Sequence, residues 1–366
     1  MISMWTRREL LKLGIFTLAA TRLPRVFAEK IAPKKILILG GTGFLGPFIV
    51  ERALSRGHTL TLFNRGKTGA NLFPDVEKIH GDREKGDLGG LTNDRRWDVV
   101  IDVWANDPAI VVPMAKFLAN RTGYYHFVSS IAAYADYSRI SMEETAPTRL
   151  EKSGYGGNKA KSEKALSDLL GDRVGVCRPV AILGPRDESL SYHYWLSHLS
   201  RDQEMVAPGT GDDCFVQYVD VRDVANWVVD CVEQSRGGIY NIVSEPLPFR
   251  EFLGRSSSAI GGRAKLVWID SDFLRNDQHV KTFDNLPFWN PDRPGFERIS
   301  ATKARTAGFS TRALSETAND AWISFQKIVP PDLVYPQKQY GFEWGISSER
   351  ERDILAAWKQ KSAKSS

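Results

Sequence analysis

"KKILILGGTGFLG", residues 34–46, sets a short apolar run directly against glycines at every third position. The run reads as a buried strand. Gly40, Gly43 and Gly46 then supply a tight turn, a close backbone approach to a phosphate, and close packing of the next helix on the strand. Glycine-rich turns are common, so context decides the reading: an amphipathic helix from about Phe44 to Arg56 follows, and then a second strand, "HTLTLFN", at 58–64. Such a βαβ unit aims the unpaired N–H groups of its helix at a pyrophosphate. Gly40, Gly43, Phe44, Leu45 and Gly46 are therefore candidate contacts for a dinucleotide.

Outward from this unit, short strand-like runs alternate with helical patterns: "EKIHGD", "WDVVIDV", "YYHFVSS", "RVGVCRP" and "GIYNIV". Alternation of this kind predicts an α/β fold, a doubly wound Rossmann parallel sheet with helices on both faces. After about residue 186 the pattern loosens into aromatic and Pro/Gly-rich stretches such as "SYHYWLSHL" and "NLPFWNPDRPGF", long enough to build a smaller C-terminal substrate-binding lobe. The expected organisation is a leader at 1–28, a dinucleotide-binding domain at 29–185, and a region at 186–335 supplying the last sheet strands and the lobe. A C-terminal helix and a mobile Lys/Ser tail after Trp358 complete it at 336–366.

The leader carries its own signal. In "TRRELLKLG" (6–14), Arg7 and Arg8 precede an apolar stretch from Leu10 to Ala20 interrupted by Lys12, and Val26-Phe27-Ala28 offers a small-residue cleavage pattern. Paired arginines with Leu-Leu-Lys behind them read as a twin-arginine export signal; an ordinary secretory leader is the alternative. Export by that route places the protein in the periplasm or otherwise outside the cytoplasm. The whole chain has 49 Lys+Arg and 44 Asp+Glu, but residues after Ala28 hold 44 and 43, a net charge of +1. That balance is no footprint for nucleic acid. Cys177, Cys214 and Cys231 form neither a disulfide framework nor a metal-ligand spacing, the six histidines are scattered, and no metal site is expected. No later segment has the apolar length of a membrane span, so no stable membrane insertion is expected either.

The second strand ends at Asn64, followed by Arg65, where an acidic residue would accept from an adenosine ribose 2′-hydroxyl. A missing carboxylate beside a cation favours a 2′-phosphate, hence NADP over NAD; a solvated turn arginine is the bland alternative. Asp82, closing "IHGD", is expected beside the adenine. "VSSIAAY" ends a strand with Ser129 and Ser130, and "YGGNK" places Tyr155 and Lys159 one helical turn apart. A free tyrosine titrates at about 10, too high for a base at neutral pH. Lys159, together with the positive ring of an oxidised nicotinamide, is expected to favour the phenolate and lower that value. Ser130 is expected to hydrogen-bond the same substrate hydroxyl, which makes Ser130, Tyr155 and Lys159 the candidate catalytic residues.

With these motifs the chain resembles the extended short-chain dehydrogenase/reductase superfamily, in its sugar epimerase/dehydratase branch. The resemblance spans about 34–322 and rests on "GGTGFLG", "VSSIAAY", "YGGNK", "CRPVAILGP" and "YVDVRDVA". It implies that Ser130, four residues before Tyr134, is catalytic. It also implies that the stretch from Pro179 to Ile182 lines the nicotinamide, and that the chain forms a homodimer through the helix carrying Tyr155. Two departures restrict the chemistry. Dehydratases of the family place Asp-Glu straight after the catalytic hydroxyl residue, where this chain has Ile131 and Ala132. Nucleotide-sugar epimerases place a diphosphate-binding arginine where "FVQYVDVRDVA" has Val216, with Arg222 nearby as an unmatched substitute.

A valine does not grip a phosphate, and nucleotide sugars are kept in the cytoplasm. Both points favour a free or glycosidic sugar as substrate, and "SYHYW" (191–195) offers stacking faces for a pyranose unless those aromatics are lobe core. Outside the cytoplasm a lost dinucleotide has no pool to replace it. The expected enzyme is therefore an NAD(P)-dependent epimerase or oxidoreductase that retains its cofactor and restores it within each turnover. An ordinary dehydrogenase with exchanging cofactor, a nucleotide-sugar epimerase and a dinucleotide-binding scaffold remain alternatives.

Overall fold

Lys35–Leu39 (β1) is buried from its second residue onward and hydrogen-bonds on both sides to parallel neighbours, Thr59–Asn64 (β2) and Trp97–Asp102 (β4). The computed structural model describes residues 32–91, 94–103, 107–339 and 341–365. The expected leader lies outside the described residues. Glu77–His80 (β3), Thr122–Val128 (β5), Val174–Pro179 (β6) and, much later in the chain, Gly238–Ile242 complete a seven-stranded sheet, with Gly238–Ile242 on its outer edge beside β6. Every pairing within it is parallel. The strands step outward from β1 in one direction through β2 and β3, and in the other through β4, β5 and β6. The order reverses between β1 and β4, the switch point at whose carboxyl ends open parallel sheets bind their ligands.

Strand alternation sorts the side chains into two layers. Ile36, Ile38, Val99 and Ile101 face Gly46–Ser55 (α1), through Ile49, Val50 and Ala53. Leu37, Leu39, Val100, Tyr125 and Phe127 face the other side, against Val111, Met114, Ala115 and Leu118 of Pro108–Leu118 (α2) and Leu166 and Leu170 of Tyr155–Leu170 (α3). Pro47 sits in the first turn of α1, where a missing N–H costs nothing, and Gly57 with φ +83 ends that helix. The expected doubly wound sheet is thus the architecture found, and the expected strands are all present, with α1 starting at Gly46 rather than Phe44.

Beyond β6, Ile182–Leu183 (β7), the helix Ser191–Leu199 (α4), Glu204–Pro208 (β8), Phe215–Val216 (β9) and Val219–Asp220 (β10) lead to Val221–Gln234 (α5), which packs with α1, and then to Gly238–Ile242 (β11). This region contributes one strand to the main sheet. The lobe is completed by Leu247–Pro248 (β12), Phe249–Ile260 (α6), Lys265–Ile269 (β13), Thr302–Thr306 (α7), Leu314–Ile328 (α8), the hairpin Gln337–Gln339 (β14) with Phe342–Trp344 (β15), and Ser348–Ser365 (α9). β8 and β13 pair in parallel, and their aromatic-rich core includes Tyr192, Tyr194, Trp195, Phe249, Phe252 and Trp289.

Two expectations change here. The segment after Trp358 continues α9 to Ser365, because Lys359 pairs with Glu204 at 2.5 Å and Lys361 with Asp277 at 2.8 Å, tying the polar helix back onto the lobe. The "SYHYW" aromatics are fully buried core residues of α4, with the Trp195 indole donating to the Pro287 carbonyl at 2.9 Å. They present no face to a sugar. Cys177, Cys214 and Cys231 are free and buried.

Candidate active site

The turn after β1 is shaped for a phosphate. Gly40 and Gly41 hold φ +115 and +91, which only glycine adopts without strain. A Cβ on Gly46 would stand 2.5 Å from the Gly41 backbone, so that glycine locks the helix against the turn; a Cβ on Gly43 would meet nothing within 4 Å. Gly43 therefore borders open space at the switch point. Leu45 offers no side-chain cap to α1, which leaves the N–H groups of the first turn for an anion. Beside it, the Asn64 carboxamide oxygen accepts from the Gly66 N–H at 2.8 Å while its amide nitrogen is buried without a partner. This orphaned donor and the glycine cradle fit a dinucleotide, which Gly40, Gly43, Phe44, Leu45, Gly46 and Asn64 would hold.

At the adenosine end the picture is more particular than the sequence suggests. The Arg65 guanidinium lies 3.9 Å from the Glu84 carboxylate, both side chains being over 40% exposed, a weak solvent-screened pair. The Asp82 side chain accepts from the Glu84 N–H at 3.1 Å and caps the turn Arg83–Lys85.

At the carboxyl end of β5, Ser130 caps the turn Ile131–Ala133 by accepting from the Ala132 N–H at 3.1 Å, and the Tyr155 phenol lies near its hydroxyl. Tyr155 opens α3 behind Gly154, whose φ is +84. Lys159, one turn on and 3% exposed, donates to the Val128 carbonyl at 2.8 Å and lies 4.7 Å over the Phe127 ring and 5.8 Å from the Tyr155 ring. The three expected residues are thus brought together. Pro179 ends β6, in register with Ile242, and Ile182 begins β7, in register with Val219.

Burial acts on both ionisable groups of this cluster. Tyr155 is 51% exposed as a residue, yet crowding of its hydroxyl end raises the phenol above its ordinary value, and the Ser130 hydroxyl nearby counters that. Burial pulls the Lys159 ammonium down to about 8, against the opposing pull of Asp102, Cys177 and Glu163. The reason is the low dielectric around both groups, which disfavours the charged form of each.

Several supporting residues went unassigned in the sequence. Glu163, one turn beyond Lys159, receives the Arg178 guanidinium (Nε to Oε1 3.0 Å) and the Ser129 hydroxyl. This buried pair ties α3 to β6 and to the end of β5, and fixes where Ser130 and Lys159 sit. Helical spacing was the signal for Glu163; Arg178 lay unremarked inside "CRPVAI". On the substrate side, Val216 is 1% exposed and Arg222 is held by Asp220 at 2.9 Å and Asp320 at 2.6 Å, so Arg222 is no substitute for a phosphate-binding arginine. Beside Val216, the Arg298 guanidinium lies 3.6 Å over the Phe215 ring.

The glycine turn lies at the switch point of a parallel sheet, with Ser130 after the carboxyl end of β5 and Tyr155 and Lys159 on the first turn and a half of α3. The chain belongs to the NAD dependent epimerase/dehydratase family, whose model matches residues 36–243, more than half its length. It is 26% identical to the chloroplast stem-loop binding protein of 41 kDa b of Arabidopsis thaliana over 65% of this chain and 66% of that protein. It is also 28% identical to UDP-glucose 4-epimerase of Neisseria meningitidis serogroup B over 37% of this chain and 48% of that enzyme. The matches thus span about half to two thirds of these relatives. Among solved structures, the Bordetella bronchiseptica enzyme WbmH in complex with NAD+ superposes with a TM-score of 0.62 at 18% identity, covering 81% of this chain and 99% of that one, a likeness of fold.

Proposed function

We propose that this chain is an exported NAD(P)-dependent epimerase or oxidoreductase acting on a hydroxyl-bearing carbon of a non-nucleotide sugar, with its dinucleotide retained through turnover. The observation that carries the reading is the meeting of Ser130, Tyr155 and Lys159 beside the glycine cradle. The bound dinucleotide supplies the site that takes up and returns a hydride. Tyr155 takes the hydroxyl proton as the carbon loses its hydride, and gives it back to the oxygen of the transient ketone in the second half of the cycle. Ser130 orients that oxygen, and Lys159 favours the phenolate. Ile131 and Ala132 supply no acid or base, so the chain's own residues support no elimination of water by the family's dehydratase route.

Val216 and the engaged Arg222 support a substrate without a diphosphate, and Arg7-Arg8 supports folded export. Arg298 over Phe215 favours one second reading, a nucleotide-sugar epimerase, since a guanidinium stands next to the Val216 position. Desalted enzyme with no added dinucleotide is expected to turn over repeatedly on a free or glycosidic sugar and to leave UDP-hexoses unchanged. Both are measured as product per enzyme by chromatography. A single turnover rescued only by fresh dinucleotide, with no acceptor restoring it, returns the protein to the ordinary dehydrogenases; UDP-hexose epimerisation establishes the second reading.

The absence of a carboxylate at the end of β2 supports NADP as the cofactor, with Arg65 exchanging its exposed Glu84 partner for a 2′-phosphate. Asn64→Asp combined with Arg65→Ala is expected to shift the NADP/NAD preference by roughly tenfold or more towards NAD, the worth of one charge-assisted hydrogen bond. Fluorescence titration with NADPH and NADH measures it. Tighter NAD binding by the wild type contradicts this assignment.

A further inference from the structure

The last residue of β4 is a buried acid, where the strand's other acid, Asp98, is exposed. Asp102 is fully buried, receives the Arg83 guanidinium through two hydrogen bonds of 2.9 and 3.1 Å, and accepts the Tyr125 hydroxyl at 2.7 Å. In the sheet it pairs in register with Phe127 of β5, and in-register residues of parallel strands present their side chains to the same face. Phe127 is the ring over which the Lys159 ammonium lies. The carboxylate, the ring and the ammonium therefore share one face of the sheet, directly beneath the carboxyl ends where the dinucleotide turn begins.

We propose that Asp102, clamped by Arg83 and Tyr125, is a positioning residue that keeps the Lys159 ammonium charged beside the Tyr155 phenol, with Arg83 acting against it. The inference rests on the reading of Lys159 as the partner of Tyr155. Each carboxylate around Lys159 carries its own guanidinium, Arg83 on Asp102 and Arg178 on Glu163 of the same helix, and burial pushes the Cys177 thiol of β6 up to about 12, so it carries no charge near neutrality. Burial works against the ammonium; Asp102 heads the groups that support it, and Arg83 opposes it from the turn after β3. The two members of one ion pair thus have opposite effects on Lys159. A pair too far from Lys159 to act on its charge leaves its titration where it is.

The test follows Lys159 itself. The full chain is labelled with ¹³C at lysine Cε, the Lys159 resonance is identified by its loss in Lys159→Arg, and its titration is recorded by NMR without substrate. Asp102→Asn is expected to lower the Lys159 midpoint by about one pH unit, and Arg83→Gln to raise it by about half a unit or more. In the active enzyme the alkaline limb of the kcat profile moves in the same two directions. Where a single variant fails to fold, the double variant Arg83→Gln/Asp102→Asn keeps the hydrogen bonds without the charges and lowers the midpoint by less than Asp102→Asn. Midpoints unchanged, or moved in the same direction by both single variants, overturn the proposal, as does an unchanged or raised midpoint in the double. The NMR result is independent of turnover, so full activity in Tyr155→Phe removes the catalytic reading and leaves the Asp102–Lys159 coupling standing on its own measurement.

Discussion

Tyr155→Phe is expected to lower kcat on the sugar substrate by about 10²–10⁴-fold, the range in which a positioned proton-transfer group contributes to a rate. The substitution removes one oxygen from a ring that is 51% exposed and contributes little to the core, so folding and melting temperature stay within a degree or two of wild type. The lost atom is the one nearest the Ser130 hydroxyl, on the ring that lies 5.8 Å from the Lys159 ammonium. Because the phenol is raised by burial, wild-type activity in the direction of hydroxyl oxidation is expected to rise with pH as the phenolate forms. In the variant that dependence disappears from the residual rate. Stopped assays across pH, together with a thermal melt, measure both. Equal activity in the two proteins rules out Tyr155 as the proton carrier.

The second large effect separates two glycines of the same loop. Gly46→Ala places a methyl 2.5 Å from the Gly41 backbone, which is no flexible side chain and gives only if the turn itself moves. Overpacking of this kind costs about 1–3 kcal/mol and displaces the first turn of α1 from the phosphate. Both the melting temperature and the dinucleotide carried through purification are expected to fall. Gly43→Ala meets no atom within 4 Å, so the fold is expected to keep its stability while the methyl enters the open space at the switch point and weakens dinucleotide binding. Native mass spectrometry reads the bound fraction and calorimetry the stability. If Gly43→Ala binds as tightly as wild type, the open space beside Gly43 is not where the phosphate approaches.

The contrast between these glycines shows how far local sequence reaches. Their spacing, the apolar run before them and the helix after them are contiguous, so strand, turn and helix could be read in order, and the remaining sheet strands followed from the same alternation. Tyr155 and Lys159 were legible for the same reason: one helical turn fixes their common face. The "SYHYW" stretch was not, because stacking platform and buried core have the same composition, and only the neighbours that cover Trp195 and Tyr194 distinguish them.

The sequence by itself determined the βαβ cradle, the parallel sheet and the common face of Tyr155 and Lys159, since each depends on contiguous motifs and periodicities of 2 or 3.6 residues along one segment, while Ser130 came from the resemblance. Tertiary structure alone decided what those residues experience. Arg83 meets Asp102 from 19 positions away, Arg178 meets Glu163 from 15, and Arg222 is drawn to Asp320 from 98. An ionisable group's charge depends on burial and on partners within a few ångströms, whatever their distance along the chain. Burial raises the phenol of Tyr155, and the Arg222 guanidinium is committed to carboxylates where the motif left it open to a phosphate.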